Sequence, residues 1–144
     1  MKYSKKIIDH FVFEEGIRLN KYLDTTNHWT IGIGHKLTPE ELKNNLSSIT
    51  KEQAYEILEK DLDEALKSAK RIFPEYDTYS ENVQLALLDM AFNLGYGGLS
   101  KFVVTIPLIK QRKFKEAAEQ AMKSLWARQV PNRAKRVTKL LASG

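Results

Sequence analysis

The sequence predicts an α+β fold, mostly α, with a small sheet lobe near the N-terminus, a long helix and then a helical lobe. Three observations carry that reading. Runs rich in Tyr, Ile, Trp and Thr are confined to the stretch between Gly16 and His35, as strands prefer. A long amphipathic stretch opens at Thr50 and closes before Pro74. Beyond Pro74 the apolar patterns are helical. A chain of 144 residues suffices for one domain with a real core. We therefore read 1–144 as a single domain of two lobes. Residues 14–50 form a small αβ lobe, 1–13 join 74–144 in a helical lobe, and 51–73 connect them.

Each element has a local cause. Ser4 can cap a first helix, whose stripe is Ile7, Ile8, Phe11 and Val12, ending near Glu15-Gly16. Leu19 to Leu23 reads as a strand, and Asp24-Thr-Thr-Asn27 as a turn. His28 to Gly34 reads as a second strand, with room for one more pairing before Pro39. Thr38-Pro39-Glu40-Glu41 starts a helix, with Pro in the first turn and acids facing its positive end. Thr50-x-x-Gln53 is a capping box that opens the long helix. Tyr55, Leu58, Leu62, Ala65, Leu66 and Ala69 mark that helix's apolar face, and Pro74 stops it near Phe73. Ser80 caps VQLALLDMAFNL, apolar on nearly every side and so the buried centre of the helical lobe. Gly95, Gly97 and Gly98 should end it. Further helices are expected around Thr105 to Gln111, Phe114 to Arg128 and Asn132 to Leu141.

Composition narrows the function classes. With 42% hydrophobic and 28% charged residues, the chain is globular and not disordered. It has no cysteine, which removes disulfides and thiol chemistry. His10, His28 and His35 are scattered and H-E-x-x-H is absent, so neither metal nor cofactor is expected. The net charge of +5 suits an anionic partner: nucleic acid, a membrane surface or an acidic polymer such as a cell wall. It is equally consistent with solubility alone. No apolar run approaches a membrane helix in length. The lysines of the opening stretch have no signal-peptide core behind them, so crossing a membrane would require another protein.

The stretch from Glu14 to His35 holds the candidate chemistry. Glu15 and Asp24 stand nine positions apart, and Thr30 comes six later. A helix delivers the first carboxyl; a small sheet delivers the second and the hydroxyl. A carboxyl at the C-terminal end of a helix faces the negative pole of the helix dipole, which favours the proton-carrying form that can donate to a leaving oxygen. Asp24 could polarise a water or steady positive charge on a sugar ring, and Thr30 could hold that water. Two acids and a water-holding hydroxyl are the usual equipment for cleaving a glycosidic bond. Each residue alone also has a plain reading, as a surface acid, a turn residue and a strand residue.

Glu15-Gly16, Arg18, Tyr22-Leu23-Asp24 and Thr30-Ile31-Gly32-Ile33-Gly34-His35 resemble the active-site segment of phage lysozymes of the T-even type. The likeness continues through Thr50-Lys51 to Asp61, Phe92-Asn93-x-Gly95, Ser124-x-Trp126 and Pro131-Asn132-Arg133-Ala134-Lys135-Arg136-Val137. It covers nearly the whole chain.

The resemblance implies a lysozyme-like fold and a muramidase that hydrolyses the β-1,4 bond between N-acetylmuramic acid and N-acetylglucosamine in peptidoglycan. Glu15 would be the general acid, with Asp24 and Thr30 placing the attacking water for an inverting reaction. Arg133 resembles the arginine that pairs with the catalytic acid, and His35 and Asp61 a structural pair between sheet and long helix. Phe92 and Asn93 fall where the family lines its cleft floor, and Thr105 would also face sugar. Gly32 and Gly34 would allow close backbone packing beside the cleft. Asn27 replaces a typical turn glycine, the 36–49 segment is shorter than in relatives, and so is the C-terminal end. The resemblance further implies an endolysin causing cytolysis of a bacteriophage host. It would act as a monomer, held in the host cytoplasm until released to the periplasm, through a holin-type pore.

Alternatives remain at this point. Lys123, Arg128, Arg133, Lys135, Arg136 and Lys139 could form a nucleic-acid face, although no specific nucleic acid is expected. The same charges suit a weak contact with an anionic membrane. A lysozyme fold without catalysis, or a transglycosylase releasing anhydro-sugars, is the other departure.

Overall fold

A computed structural model describes residues 2–144, which divide into two compact units, one up to Asp63 and the other Glu64–Gly144. In the first unit, helix α1 (Lys5–Glu15) begins at Ser4, whose hydroxyl accepts from Ile7 N at 3.3 Å. Its Ile8 and Phe11 are buried. Strands β1 (Arg18–Leu23), β2 (Trp29–Gly32) and β3 (His35–Lys36) form an antiparallel sheet in the order β1-β2-β3. Tyr22 lies opposite Thr30, and Ile31 opposite His35.

The second strand is shorter than the sequence suggested. Gly32 and Gly34 both take positive φ, +67° and +68°, and turn the chain back on itself through Ile33. Residues with a Cβ avoid that region. The two glycines thus make a hairpin where a continuous strand to Gly34 was expected, and β3 is the extra pairing.

Helix α2 (Pro39–Lys43) starts at a capping box: Thr38 Oγ1 accepts from Glu41 N at 3.2 Å, and Glu41 Oε1 from Thr38 N at 2.8 Å. The chain then returns along the outer edge of β1. Lys21 N donates to Ser47 O and Ile49 N to Leu19 O, each at 2.9 Å, around a bridge between Asn20 and Ser48. Helix α3 (Lys51–Ile72) opens at the Thr50–Gln53 capping box. Ala54, Leu58, Leu62, Ala65 and Ala69 are its buried stripe. The division between the units falls within it.

In the second unit a 3-10 turn at Tyr76–Thr78 precedes α4 (Glu81–Ser100), capped by Ser80. Leu87, Leu88 and Met90 of α4 are fully buried. Gly95 interrupts the helix with φ 68° and ψ 177°, but helical turns resume and run to Ser100. The glycines were expected to end it. Helices α5 (Thr105–Lys110), α6 (Phe114–Ala121), α7 (Leu125–Gln129) and α8 (Pro131–Ala142) complete the unit, with α8 packed on α4, α6 and α7. The stretch expected as one helix from Phe114 to Arg128 is two. The Ser124 hydroxyl donates to Ala121 O at 2.6 Å and accepts from Ala127 N at 3.2 Å, ending one helix and capping the next. Among the described residues no helix is long and apolar enough to cross a membrane.

Candidate active site

Glu15 is the last residue of α1. Gly16, at φ 71°, closes the helix by donating its N–H to Val12 O at 2.8 Å. Glu15 lies against the Gly34 backbone: a Cβ built on Gly34 would stand 2.5 Å from Glu15 Cδ and Oε1 and 2.7 Å from Cγ. Only a residue without a side chain leaves this carboxyl its place.

Asp24 comes directly after β1, at the head of the turn. Its N–H donates to His28 O, and Asn27, at φ 64°, donates to Asp24 O. Asp24 Oδ1 accepts three hydrogen bonds, from Thr26 N, Thr26 Oγ1 and His28 N, each at 2.8 Å. No described residue donates to Oδ2. Burial pushes the Asp24 carboxyl up, but the donors on His28 and Thr26, with the Lys36 charge, outweigh it and hold the group below the ordinary carboxylate range. At neutral pH it is therefore an anion with one oxygen saturated and the other offered.

Thr30 is buried in β2 and donates its hydroxyl to His28 O at 3.0 Å, which leaves the oxygen's lone pairs as acceptors. Its strand partner Tyr22 stands under Arg18, whose guanidinium is 4.3 Å from the ring centre. Burial raises the Tyr22 phenol, and the charges of Glu15 and Asp24 add to it against Arg18. Both candidate carboxylates thus act on one phenol, which keeps its proton as a donor. Tyr22 belongs to the sequence motif, yet its spacing alone did not mark it as part of the site.

His35 is braced from two sides. Its Nδ1 is 2.8 Å from Asp61 Oδ2 and its Nε2 2.8 Å from Glu41 Oε1. The Asp61 hydrogen bond raises the imidazole to about 9, against burial and with help from Glu41. Below that pH it is an imidazolium donating from both nitrogens. Glu41 lies below its ordinary range: burial raises it, but the Thr38 N–H and His35 outweigh that. Sequence reading placed Glu41 at a helix start and missed this second role.

The second unit holds the remaining candidates. Phe92 and Asn93 are half-buried on α4, just before its break at Gly95. Asn93 Oδ1 accepts from the buried Trp126 indole N–H at 3.1 Å. Thr105 is buried at the start of α5 and lines a groove of about 490 Å³ with Phe102, Gln120 and Trp126. Arg133 of α8 grips the fully buried Asp89 of α4, with Nε and one terminal nitrogen each 3.1 Å from a different carboxylate oxygen. In the sequence Asp89 stands out only as part of an apolar helix. The arginine pattern there gives no sign of this partner. Among the described residues no cluster of three His, Asp or Glu side chains could hold a metal ion.

The first unit thus holds a carboxyl at a helix end, an anchored carboxylate on a sheet turn and a hydroxyl on the adjacent strand. The chain belongs to the phage lysozyme family, whose model matches residues 13–141. It is similar to probable T4-type lysozyme 1 of Dictyostelium discoideum, at 30% identity over 161 aligned positions covering 96% of this chain and 94% of that protein. It also resembles the pre-baseplate central spike protein Gp5 of Enterobacteria phage T4, at 32% identity over 91% of this chain but only 26% of the spike protein. Similarity to the peptidoglycan hydrolase gp36 of Enterobacteria phage SP6 is 30% over 59% of this chain and 10% of that protein.

Proposed function

We propose that this lysozyme hydrolyses the β-1,4 bond between N-acetylmuramic acid and N-acetylglucosamine in peptidoglycan, with inversion at the anomeric carbon. Glu15 donates the proton to the leaving oxygen. Asp24, through Oδ2, takes the proton of the attacking water, and Thr30 Oγ1 accepts that water's other hydrogen. In the second unit Phe92, Asn93 and Thr105 hold substrate. The observation that best supports this reading is the Asp24 carboxylate, whose Oδ1 is saturated by three donors while Oδ2 is free of them. A carboxylate anchored by one oxygen is rigid enough to aim the other.

The biological setting we propose is lysis of a bacterial host by a monomeric endolysin, retained in the cytoplasm until a pore formed by another protein admits it to the wall. The test is turbidity loss of outer-membrane-permeabilised Gram-negative cells with wild type and Glu15→Gln. The variant is expected to be inactive, and equal lysis would remove the assigned acid. Soluble fragments from purified peptidoglycan should carry a reducing N-acetylmuramic acid, first released in the α configuration. Retained β product would overturn inversion, and anhydro-sugars would indicate a transglycosylase.

A further inference from the structure

The turn that carries Asp24 contains a histidine whose protonation the hydrogen bonds dictate. Thr26 Oγ1 lies 2.8 Å from Asp24 Oδ1 and 2.7 Å from His28 Nδ1. A hydroxyl has one proton to give. Asp24 is ionised and can only accept, so the Thr26 proton goes to Asp24. The contact with His28 must then run the other way, with Nδ1–H donating to Thr26 Oγ1. The imidazole itself is 3.8 Å from Asp24 Oδ1, too far for a direct hydrogen bond, so the threonine hydroxyl is the link. The His28 backbone N–H meets the same carboxylate oxygen at 2.8 Å.

We propose that His28 is a positioning residue for the glycosidase reaction: with its proton on Nδ1, it fixes the Thr26 hydroxyl on Asp24 Oδ1 and leaves Oδ2 to hold the attacking water. This rests on the reading of Asp24 as the water-holding carboxylate. A proton on Nε2 alone would make Nδ1 an acceptor that competes for the Thr26 hydroxyl. Oδ1 would then lose one of its three donors. The carboxyl torsion is broad, so it is these donors that fix the plane of the carboxylate and thereby the direction in which its other oxygen faces the water. His28 is exposed, so replacing it leaves no hole in the fold.

The test combines a spectroscopic and a kinetic readout. Long-range proton–nitrogen NMR of the neutral imidazole should find His28 as the Nδ1–H tautomer, and Thr26→Val should release that preference. On soluble peptidoglycan fragments of defined length, His28→Phe should lower kcat by roughly two- to tenfold, the worth of one hydrogen bond, at unchanged KM. His28→Asn, whose amide can still donate to Thr26, should recover most of the loss. A neutral His28 protonated on Nε2 would overturn the proposal. So would wild-type kcat in His28→Phe, or equal losses in both variants. Asp24→Asn separates the two readings. If it keeps wild-type activity, the role of Asp24 has failed. If it is inactive while His28→Phe is unaffected, only the role of His28 has failed.

Discussion

Replacing Gly34 by alanine should disable the enzyme while leaving it folded. The new Cβ would stand 2.5 Å from Glu15 Cδ and Oε1, whereas ordinary contact begins at 3.4 Å. The carboxyl must therefore retreat by about 0.9 Å. It can do so, because the obstructing atoms are the far end of a flexible side chain. A misplacement of about 1 Å at a reacting group costs on the order of 10²-fold in rate, and that is the loss of kcat expected of Gly34→Ala. The backbone adds strain, since alanine at φ +68° costs about 1–2 kcal/mol. Gly32→Ala supplies the control. Its φ is +67°, its Cβ would press on Ile49 Cδ1 at 3.2 Å and make ordinary contact with Ala54 at 3.5 and 3.6 Å, so backbone strain is matched and Glu15 is untouched. Both variants should melt several degrees below wild type, at roughly 4 °C per kcal/mol. Only Gly34→Ala should lose kcat on soluble peptidoglycan fragments. A Gly34→Ala enzyme within threefold of wild-type kcat would refute the reasoning, as would an equal loss in Gly32→Ala.

His35 predicts a pH signature in stability. Its folded value, about 9, lies above the ordinary 6.5, so its contribution is fully present below pH 6.5 and is lost as pH rises through about 9. At about 1.36 kcal/mol per unit the contribution reaches roughly 3 kcal/mol. Urea melts of His35→Asn and wild type should therefore differ most just below pH 6.5, where Asp61 and Glu41 are still ionised, and converge above pH 9; a constant gap would refute the assignment. Asp89→Asn should destabilise the second unit by about 1.5–3 kcal/mol, because it replaces the charged half of the buried hydrogen bonds that Arg133 makes to this carboxylate. Calorimetry checks this, and an unchanged melting temperature would contradict it.

The sequence revealed the local features. Ser4, Thr38, Thr50 and Ser80 each cap a helix through a side chain bound to a backbone N–H three residues on, a signal contained in four residues. Ser124 carries the same signal, but helical periodicity from Phe114 onward hid it. Gly95 illustrates the opposite error: a helix break is local, but whether helical turns resume beyond it depends on packing. In the site, the residue types at 15, 24 and 30 were readable. Their atomic settings were not. That Gly34 seats Glu15, that Glu41 reaches His35 and that Asp89 receives Arg133 are contacts between separate elements, which spacing along the chain does not encode.

The segment that returns along β1 has a consequence for solubility. A three-stranded sheet presents two rows of unpaired backbone groups, and such edges recruit strands from other molecules. Here Ser47 to Ile49 occupy one of them with the chain's own backbone. The short 36–49 connection is thus under a constraint of reach: after α2 it must double back at Asn45, at φ 57°, and still arrive beside Asn20. Insertions in the turn at Asn44–Asn45 would be absorbed. Deletions that stop the segment short would uncover a sticky strand, and their cost would appear as aggregation during expression before it appeared in turnover.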